Sequence, residues 1–391
     1  MLQQSAAYKS FKLTFNGTLL VISFVVFSVL TACNPQQDMI TPESSRAGLA
    51  SIDIIASNQT SNIVIDSSTS LKAAASFPVG AAPGSWLEKK TAKGYQVFVD
   101  NFNAKTVHAY MNRQVSPGNF NFSEMDYWVK WAETHAIRLH GHCLVYQGAA
   151  PDWILNFKGP NNEFEQVVKT HIQTMVGRYK GKIKSWDVVN ELINDKDGTM
   201  FMRVFRKRYN SDASYIEFLK RCFQWAHEAD PNALLFYNDY NFEIAPAKVE
   251  GVIRLVNEFK RTGTPIHGIG TQMHMKVNTP DAGIRSSLQR LASTGLLIHI
   301  SELDIQINLD ENPNLIFTNQ LLDAQAAKFR TVAQAYKELV PRQQQYGITV
   351  WDLGDADSWI VNSKKEHDAP CLFNTSYNKK PAYYGFLQGL R

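Results

Sequence analysis

Two glutamates that lie far apart in the chain each end a short, largely apolar segment, and this placement could serve catalysis. Asn190 and Glu191 close the segment 186–189, and Glu302 closes the segment 297–300 with one serine between them. Apolar and β-branched residues in such runs predict buried strands. A carboxylate at the end of a buried strand is costly in a core and useful in a site. Taken singly, either glutamate could equally be a surface residue at the start of a loop.

Taken together, the two carboxylates are the minimum set for cleaving a glycosidic bond. One carboxyl group can act as acid and base while the other acts as nucleophile or stabiliser. More than a hundred residues separate Glu191 from Glu302. Only a fold that brings distant strand ends side by side can therefore unite them.

The rest of the chain alternates predicted strands and helices from residue 74 onward. The predicted strands cover 75–81, 105–107, 137–145, 183–190, 233–238, 266–272, 297–302 and 347–352. Apolar residues recur at helical spacing between them, for example over 164–179 and 215–226, with Asp212 as the expected N-cap of the second helix. Eight strands alternating with helices predict an α/β fold, a (β/α)8 TIM barrel formed as one domain by residues 73–391. Such a barrel places its active site at the carboxyl ends of the strands.

The N-terminus has the pattern of an export signal. Lys9 and Lys12 precede an apolar run over 19–30, which is short for a membrane span and has the size of a signal-peptide core. The small residues before Cys33 resemble a bacterial lipobox. We therefore expect 1–33 to be a lipoprotein signal peptide, with Cys33 lipidated and the protein held at the outer membrane or cell surface. An ordinary signal peptide with an incidental cysteine is the alternative.

Composition narrows the remaining possibilities. Residues 34–72 are rich in Ser, Thr, Asn and Gln, which predicts a polar and mostly disordered linker. A net charge of +4 without a cluster of Lys and Arg gives no sign of a nucleic-acid partner. Cys143, Cys222 and Cys371 allow one disulfide and leave a free thiol. No metal-binding sequence pattern is present, so we expect neither a metal nor a cofactor.

The segments 186–191 and 300–304 resemble the two signature segments of glycoside hydrolase family 10, the endo-β-1,4-xylanases. The likeness extends from about residue 77 to residue 390, with further motifs in the same order. It implies that Glu191 is the general acid and then the general base, with a raised pKa, and that Glu302 is the nucleophile. Retention of configuration then requires the two carboxyl groups to lie about 5–5.5 Å apart.

The resemblance also assigns roles to other strand-end residues. Asn190 would hold the 2-hydroxyl of the reacting sugar. His274, oriented by Asp304, would donate a hydrogen bond to Glu302, and such donors keep the pKa of a carboxyl group low. Residues 238–241 would be structural support. Sugar contacts are implied for the polar side chains of His142 and Gln272 and for the indole faces of Trp351 and Trp359.

Two segments depart from the family pattern on the side that binds the sugars before the cut. Where the family has Glu-Asn-x-Met-Lys, this chain has His108, Ala109 and Asn112 around the shared methionine. After the third strand, Trp-His-x-Gln becomes Tyr-Gln-Gly-Ala, beginning at Tyr146. Each lost hydrogen bond to a sugar hydroxyl costs about 1 kcal/mol. We therefore expect altered glycone subsites, with Asn112 and Tyr146 as the substrate contacts there. Asp352 stands where the family usually has glycine.

The predicted function is that of a retaining, endo-acting β-1,4-xylanase, a monomer whose partners are xylan and, through its lipid anchor, a membrane. Two alternatives remain: a catalytically weak or inactive glycan-binding lipoprotein, and a retaining β-glycanase for another β-1,4-glycan. A binder has no need to keep Glu191, Glu302, His274 and Asn190 as a set, which favours the enzyme. The choice between endo and exo cleavage stays open.

Overall fold

Eight parallel strands close into a barrel in the part of the chain that the computed structural model describes, residues 69–83 and 92–391. Each strand pairs with the next in chain order, and the eighth pairs with both the first and the seventh, which closes the ring. The strands are β1 (Val79–Ala81), β2 (Ala104–His108), β3 (Arg138–His142), β4 (Ser185–Asn190), β5 (Leu234–Asp239), β6 (Gly268–Thr271), β7 (Leu297–Gln306) and β8 (Gln345–Val350).

A longer helix follows each strand. These helices are α1 (Ala92–Asn101), α2 (Ser123–His135), α3 (Asn161–Arg178), α4 (Asp212–Ala229), α5 (Pro246–Arg261), α6 (Asp281–Ala292), α7 (Asn319–Leu339) and α8 (Pro381–Leu390). Short helical turns and strands occupy the connections: Leu71–Ala74, Met111–Arg113, Gln114–Ser116, Asn119–Phe120, Gln147–Ala149, Asp152–Leu155, Arg206–Arg208, His274–Lys276, Arg342–Gln344 and Trp359–Asn362. The predicted (β/α)8 barrel is confirmed.

Every predicted strand is present, and β7 is longer than predicted. The prediction ended this strand at Glu302, whereas it continues to Gln306. The added residues pair in parallel with His274–Lys276, with Asp304 directly opposite His274. Tertiary pairing, which local sequence does not encode, therefore extends the strand and sets this contact.

The start of α4 differs from the prediction by one residue. Ser211 is the N-cap: its side chain accepts a hydrogen bond from the backbone N–H of Ser214, whose own side chain accepts one from the backbone N–H of Ser211. Asp212 instead forms an ion pair with Arg206, with 2.6 Å between the Asp212 Oδ1 and Arg206 Nε atoms. Serine and aspartate are equally good caps, so the local sequence did not distinguish them.

Trp186 shows how the strands are packed behind the site. Its side chain is fully buried, and it lies opposite Gly141 on the neighbouring strand. A Cβ atom added to Gly141 would lie 2.2 Å from the Trp186 indole, so only glycine fits there. The close approach keeps the end of β4 in register with the end of β3, where Asn190 and His142 stand.

Several sequence-based expectations concern other parts of the chain. Cys143, Cys222 and Cys371 are buried and free, so the disulfide that they allowed does not form. Within residues 69–83 and 92–391, no helix is both long enough and apolar enough to cross a membrane. The signal peptide, Cys33 and the linker up to residue 68 lie outside the described residues, and Leu71 is buried in the core of the barrel.

Candidate active site

The carboxyl ends of the barrel strands surround one open cleft of about 560 Å³. This volume is in the range of a ligand-binding cleft. Both candidate carboxylates line it, together with most of the other predicted site residues. The lining residues are Tyr110, His142, Tyr146, Asn190, Glu191, Tyr240, Asn241, Gln272, His274, Glu302, Gln306, Trp351, Trp359 and Lys364.

The backbone turns sharply where several strands meet this cleft. Glu191, Asn241, Met273 and Asp352 have positive φ angles of 58°, 62°, 56° and 63°. Left-handed conformations are uncommon for residues other than glycine, and they concentrate at functional sites. All four residues lie within two positions of a strand end, so the same turn that ends the strand also directs the site.

Glu302 is almost completely buried, yet every nearby polar group favours its ionised form. Asn238 Nδ2 donates to Glu302 Oε1 at 2.7 Å, and His274 Nε2 lies 3.2 Å from Oε2. His142 Nε2 lies 3.8 Å from Oε1. Burial alone would raise the pKa of Glu302, but the charge of His142 and the contacts from His274 and Asn238 outweigh it and lower the pKa. Glu302 is therefore the bare carboxylate that a nucleophile must be.

His274 is itself held in its charged form. Its Nδ1 atom lies 2.8 Å from Asp304 Oδ2, and the Trp359 indole N–H donates to the same oxygen at 2.8 Å. Burial lowers the pKa of His274, whereas Asp304 and Glu302 raise it, with a net value of about 10. The chain from Trp359 through Asp304 to His274 thus fixes a positive charge beside Glu302 at neutral pH.

A second buried chain holds His142. Its Nδ1 atom lies 2.8 Å from Asp187 Oδ2, and His140 Nε2 lies 3.0 Å from the same oxygen. Burial lowers the pKa of His142, but Cys143, Glu302, Tyr110 and the hydrogen bond to Asp187 outweigh burial and raise the pKa well above its usual range. His140, whose role the sequence left open, also contacts Ser185 Oγ at 2.6 Å and so belongs to this support.

Glu191 lies in a more polar and more open environment than Glu302. Asn190 Nδ2 and Gln272 Nε2 each donate to Glu191 Oε1 at 3.2 Å. Arg203 Nη1 lies 3.7 Å from Glu191 Oε2. Burial and the adjacent Glu191 carboxylate both raise the pKa of the Tyr146 phenol, which therefore stays neutral. The two catalytic candidates are thus distinguished by their surroundings, as acid and nucleophile must be.

Two asparagine side chains connect the carboxylates. Asn238 Nδ2 donates both to Glu302 Oε1 and, at 3.0 Å, to Asn190 Oδ1. Asn190 Nδ2 in turn donates to Glu191 Oε1. Ser301 Oγ fixes the Asn238 amide by donating to its Oδ1 at 2.7 Å. Residues from β4, β5 and β7 are therefore joined into one hydrogen-bonded unit at the cleft floor.

The known proteins that this chain resembles have the same architecture. The model of glycosyl hydrolase family 10 matches residues 68–389. The chain belongs to glycosyl hydrolase family 10. An endo-β-1,4-xylanase of Cellvibrio japonicus, Xyn10C, is 34% identical over 80% of this chain and 56% of its own length. An endo-1,4-β-xylanase of Geobacillus stearothermophilus is 35% identical over 73% of this chain and 87% of its own length.

Solved structures agree with this assignment. Native xylanase 10C from Cellvibrio japonicus superposes with a TM-score of 0.75 at 33% identity, covering 82% of this chain and 72% of that one. Native xylanase 10B from Thermotoga maritima gives a TM-score of 0.74 at 30% identity, covering 82% of this chain and 98% of that one. The chain spans about half the length of Xyn10C and of the Cellvibrio japonicus xylanase A, 56% in each case.

In this family 10 member, aromatic rings form a wall at the segment around His108, which differs from the family pattern on the predicted glycone side. His108 is stacked on Tyr110, with ring centroids 5.1 Å apart and planes 11° apart. Burial, with nearby positive charges, lowers the pKa of His108 well below its usual range, so the ring is neutral. Ala109 is buried and Asn112 is exposed, and within the described residues it is Tyr110, not Asn112, that lines the cleft. A neutral aromatic face therefore stands where the family usually has charged and amide groups.

Trp351 closes the floor between these groups. Its indole lies 5.6 Å from the rings of both His108 and His142, and 6.2 Å from that of His274. The next residue, Asp352, accepts a hydrogen bond at 2.8 Å from the backbone N–H of Trp359. Asp352 thereby links the segments that carry the two tryptophans. The glycine that is usual in the family has no side chain to form this hydrogen bond.

Sequence reasoning missed or understated several site residues. Asn238 was assigned to structural support, although it bonds directly to Glu302. Its position at the end of β5 matches that of Asn190 on β4, and this parallel was a usable signal. Tyr240 was in the same segment: the buried Lys248 lies over its ring at 3.5 Å and pairs with Asp239 at 2.7 Å. No local sequence pattern marked Tyr110, Arg203 or Lys364 as a residue of the site.

The charge on His274 provides a test of how Glu302 stays ionised. His274→Gln keeps N–H donors but removes the positive charge, so the pKa of Glu302 should rise. We expect the acid limb of the kcat/KM profile, measured with an aryl xylobioside, to move up by roughly one pH unit, or about 1.4 kcal/mol of lost charge stabilisation.

Lys364→Gln is the matched control, because Lys364 lines the same cleft and lies over Trp359 at 4.4 Å rather than against Glu302. Its acid limb should stay within a few tenths of a pH unit of that of the unmodified protein. An unchanged limb in His274→Gln would show that His274 does not set the ionisation of the nucleophile.

Proposed function

We propose that this protein is a retaining, endo-acting β-1,4-xylanase that hydrolyses xylan by double displacement. The observation that carries the proposal is the pairing in one cleft of a buried, ionised Glu302 with a more open Glu191, joined through Asn190 and Asn238. The family assignment and the xylanase names of the relatives support the same conclusion.

In the first step, Glu302 attacks the anomeric carbon while Glu191 gives its proton to the departing glycosidic oxygen. The bond from the anomeric carbon to that oxygen breaks, and an ester bond between the sugar and Glu302 forms. His274, His142 and Asn238 hold Glu302 in the ionised form that attack requires. They also stabilise it as the departing carboxylate in the second step.

In the second step, Glu191, now ionised, takes a proton from water as the water oxygen attacks the anomeric carbon. The ester to Glu302 breaks, and the sugar leaves with its original configuration because it has been inverted twice. Asn190 is placed to hold the 2-hydroxyl, since Gln272 and Asn238 both donate to its Oδ1 and fix its orientation. Trp351 and Trp359 offer indole faces to the sugar rings.

Variants of the two glutamates test the roles directly. Glu302→Ala should abolish turnover of xylan and of aryl xylobioside. Glu191→Ala should lose roughly 10²–10⁴-fold on xylan, the usual contribution of a general acid, and much less on a substrate with an activated aryl leaving group.

Azide added to Glu191→Ala should give the β-glycosyl azide, and azide added to Glu302→Ala the α-glycosyl azide, as read by NMR. Hydrolysis that inverts the configuration would contradict the mechanism. Glycan binding without hydrolysis in the unmodified protein would favour a binding protein, and preference for a β-1,4-glucan would favour another β-glycanase.

We also propose that the glycone subsites bind sugar through Tyr110 rather than through charged groups. Tyr110→Ala should lower kcat/KM on aryl xylobioside three- to tenfold, since a lost aromatic contact is worth about 0.5–1.5 kcal/mol. Asn112→Ala, a change two residues away at an exposed position, should leave kcat/KM within twofold of that of the unmodified protein. The reverse result would restore Asn112 as the substrate contact and remove the aromatic wall from the binding site.

We propose further that Cys33 anchors the enzyme, as a monomer, to the outer membrane or cell surface. The support is the sequence of residues 1–33, in which lysines come first, an apolar run follows, and small residues precede Cys33. Metabolic labelling with a palmitate analogue should mark the full chain expressed in a bacterium with lipoprotein processing, and Cys33→Ala should remove both the label and membrane association. Labelling that persists in Cys33→Ala, or a released and unlabelled parent protein, would contradict the anchor.

A further inference from the structure

Arg203 stands beside the acid/base glutamate without a hydrogen-bonded partner for its guanidinium. Its Nη1 atom lies 3.7 Å from Glu191 Oε2, which is longer than a hydrogen bond. Among the described residues, no side-chain hydrogen bond of Arg203 is found, and its guanidinium lies over the Phe201 ring at 4.3 Å. About one third of the side chain is exposed, 34%. The donors of a fixed, planar cation are therefore available beside the catalytic acid.

A small recess next to the cleft contains a second unsatisfied group. Arg203 and Gln147 both line the recess, which shares Asn190 and Glu191 with the main cleft. The Oε1 atom of Gln147 is buried and lacks a hydrogen-bond partner in the described part of the chain. Buried polar atoms in native proteins are nearly always paired, so the unpaired Gln147 acceptor marks the recess as a polar part of the site.

The recess lies on the leaving-group side of the cut. Glu191 must give its proton to the departing oxygen, so the groups around its carboxyl face the sugar that leaves. Arg203 belongs to the connection between β4 and α4, which follows Glu191 directly. The aromatic wall formed by His108 and Tyr110 belongs to β2 and its connection, the segment that the family resemblance assigns to the glycone side.

Arg203 has one acidic neighbour among the described residues, Glu191. In the first chemical step Glu191 acts as the general acid, so it is neutral when that step begins. The guanidinium then has no counter-charge beside it in the described part of the chain, and an anionic group on the substrate would supply one.

We propose that Arg203 binds the carboxylate of a uronic acid branch on the leaving-group side, so that the preferred substrate is an acidic, uronate-substituted xylan. The inference rests on the proposed xylanase function and names the substrate class of the same site. A guanidinium matches a carboxylate by two parallel hydrogen bonds, which neutral arabinose branches cannot form.

The test compares two xylo-oligosaccharides that differ by one group: one carries a single glucuronic acid branch, and the other carries the same branch with its carboxylate reduced to an alcohol. The unmodified enzyme should show a kcat/KM at least tenfold higher on the acidic form, and this ratio should shrink as salt screens the ion pair. Arg203→Gln should bring this ratio close to one, mainly by lowering kcat/KM on the acidic oligosaccharide. Arg203→Lys should keep part of the preference for the acidic oligosaccharide, since lysine keeps the positive charge but lacks the planar guanidinium that forms two parallel hydrogen bonds.

Arg261→Gln removes the same charge from an exposed position on α5 and serves as the control. It should leave the ratio unchanged. A ratio near one in the unmodified enzyme would overturn the proposal. So would an equal loss on both oligosaccharides in Arg203→Gln, because Arg203 would then merely position Glu191.

Binding separates this inference from the proposed function. Calorimetry with Glu302→Ala measures the affinity for both oligosaccharides without turnover, and we expect the acidic form to bind at least tenfold more tightly. An unmodified protein that cleaves no xylan would refute the xylanase function, while the affinity ratio would still decide the role of Arg203. Equal affinities would refute the uronate site even in an active xylanase.

Discussion

The site depends on keeping one carboxylate ionised where burial opposes ionisation. Glu302 is 4% exposed, and desolvation alone would make it a neutral acid with no nucleophilic power. Two positively charged imidazoles and one amide reverse this outcome. Each imidazole is in turn held by a buried aspartate, His142 by Asp187 and His274 by Asp304. Glu302, the proposed nucleophile, therefore lies within a network of alternating charges.

This network is possible because the fold is a closed barrel of parallel strands. Glu302 and Asp304 come from β7, Asn238 from β5, Asp187 and Asn190 from β4, His142 from β3, and His274 from the short strand after β6. Closure of the ring brings these strand ends within hydrogen-bond reach of one another. Interior packing, such as that of Trp186 against Gly141, fixes the positions of these strand ends along the barrel axis. It thus also sets the distances between the side chains of the site.

The cleft is asymmetric about the reacting sugar. Its floor keeps the groups that a family 10 enzyme needs, while the wall near β2 is aromatic and uncharged, and the rim near Glu191 carries Arg203. On the proposed function, losing polar contacts on one side and presenting a cation on the other would move selectivity away from the repeated neutral xylose units and toward acidic branches. The catalytic step and the choice of substrate would then be set by different parts of the same cleft.

The sequence by itself predicted the fold class, which the structure confirms, and it named the proposed catalytic pair and most of the residues at the cleft floor. These follow from local patterns: strand-length apolar runs, the polar residues that end them, and motifs such as the one that closes at Glu191. It also located the departures at His108, Ala109 and Asn112, because these are substitutions within a recognisable motif.

Only the tertiary structure decided which of those groups touch. Asn238 bonds to Glu302 across 64 positions of sequence, and His274 to Asp304 across 30. The exposure of Asn112, the stacking of Tyr110 on His108 and the approach of Arg203 to Glu191 depend on how each connection folds over the barrel rim. The reason is physical: periodicity records which residues must be buried, whereas contacts between loops depend on distances that barrel closure alone fixes.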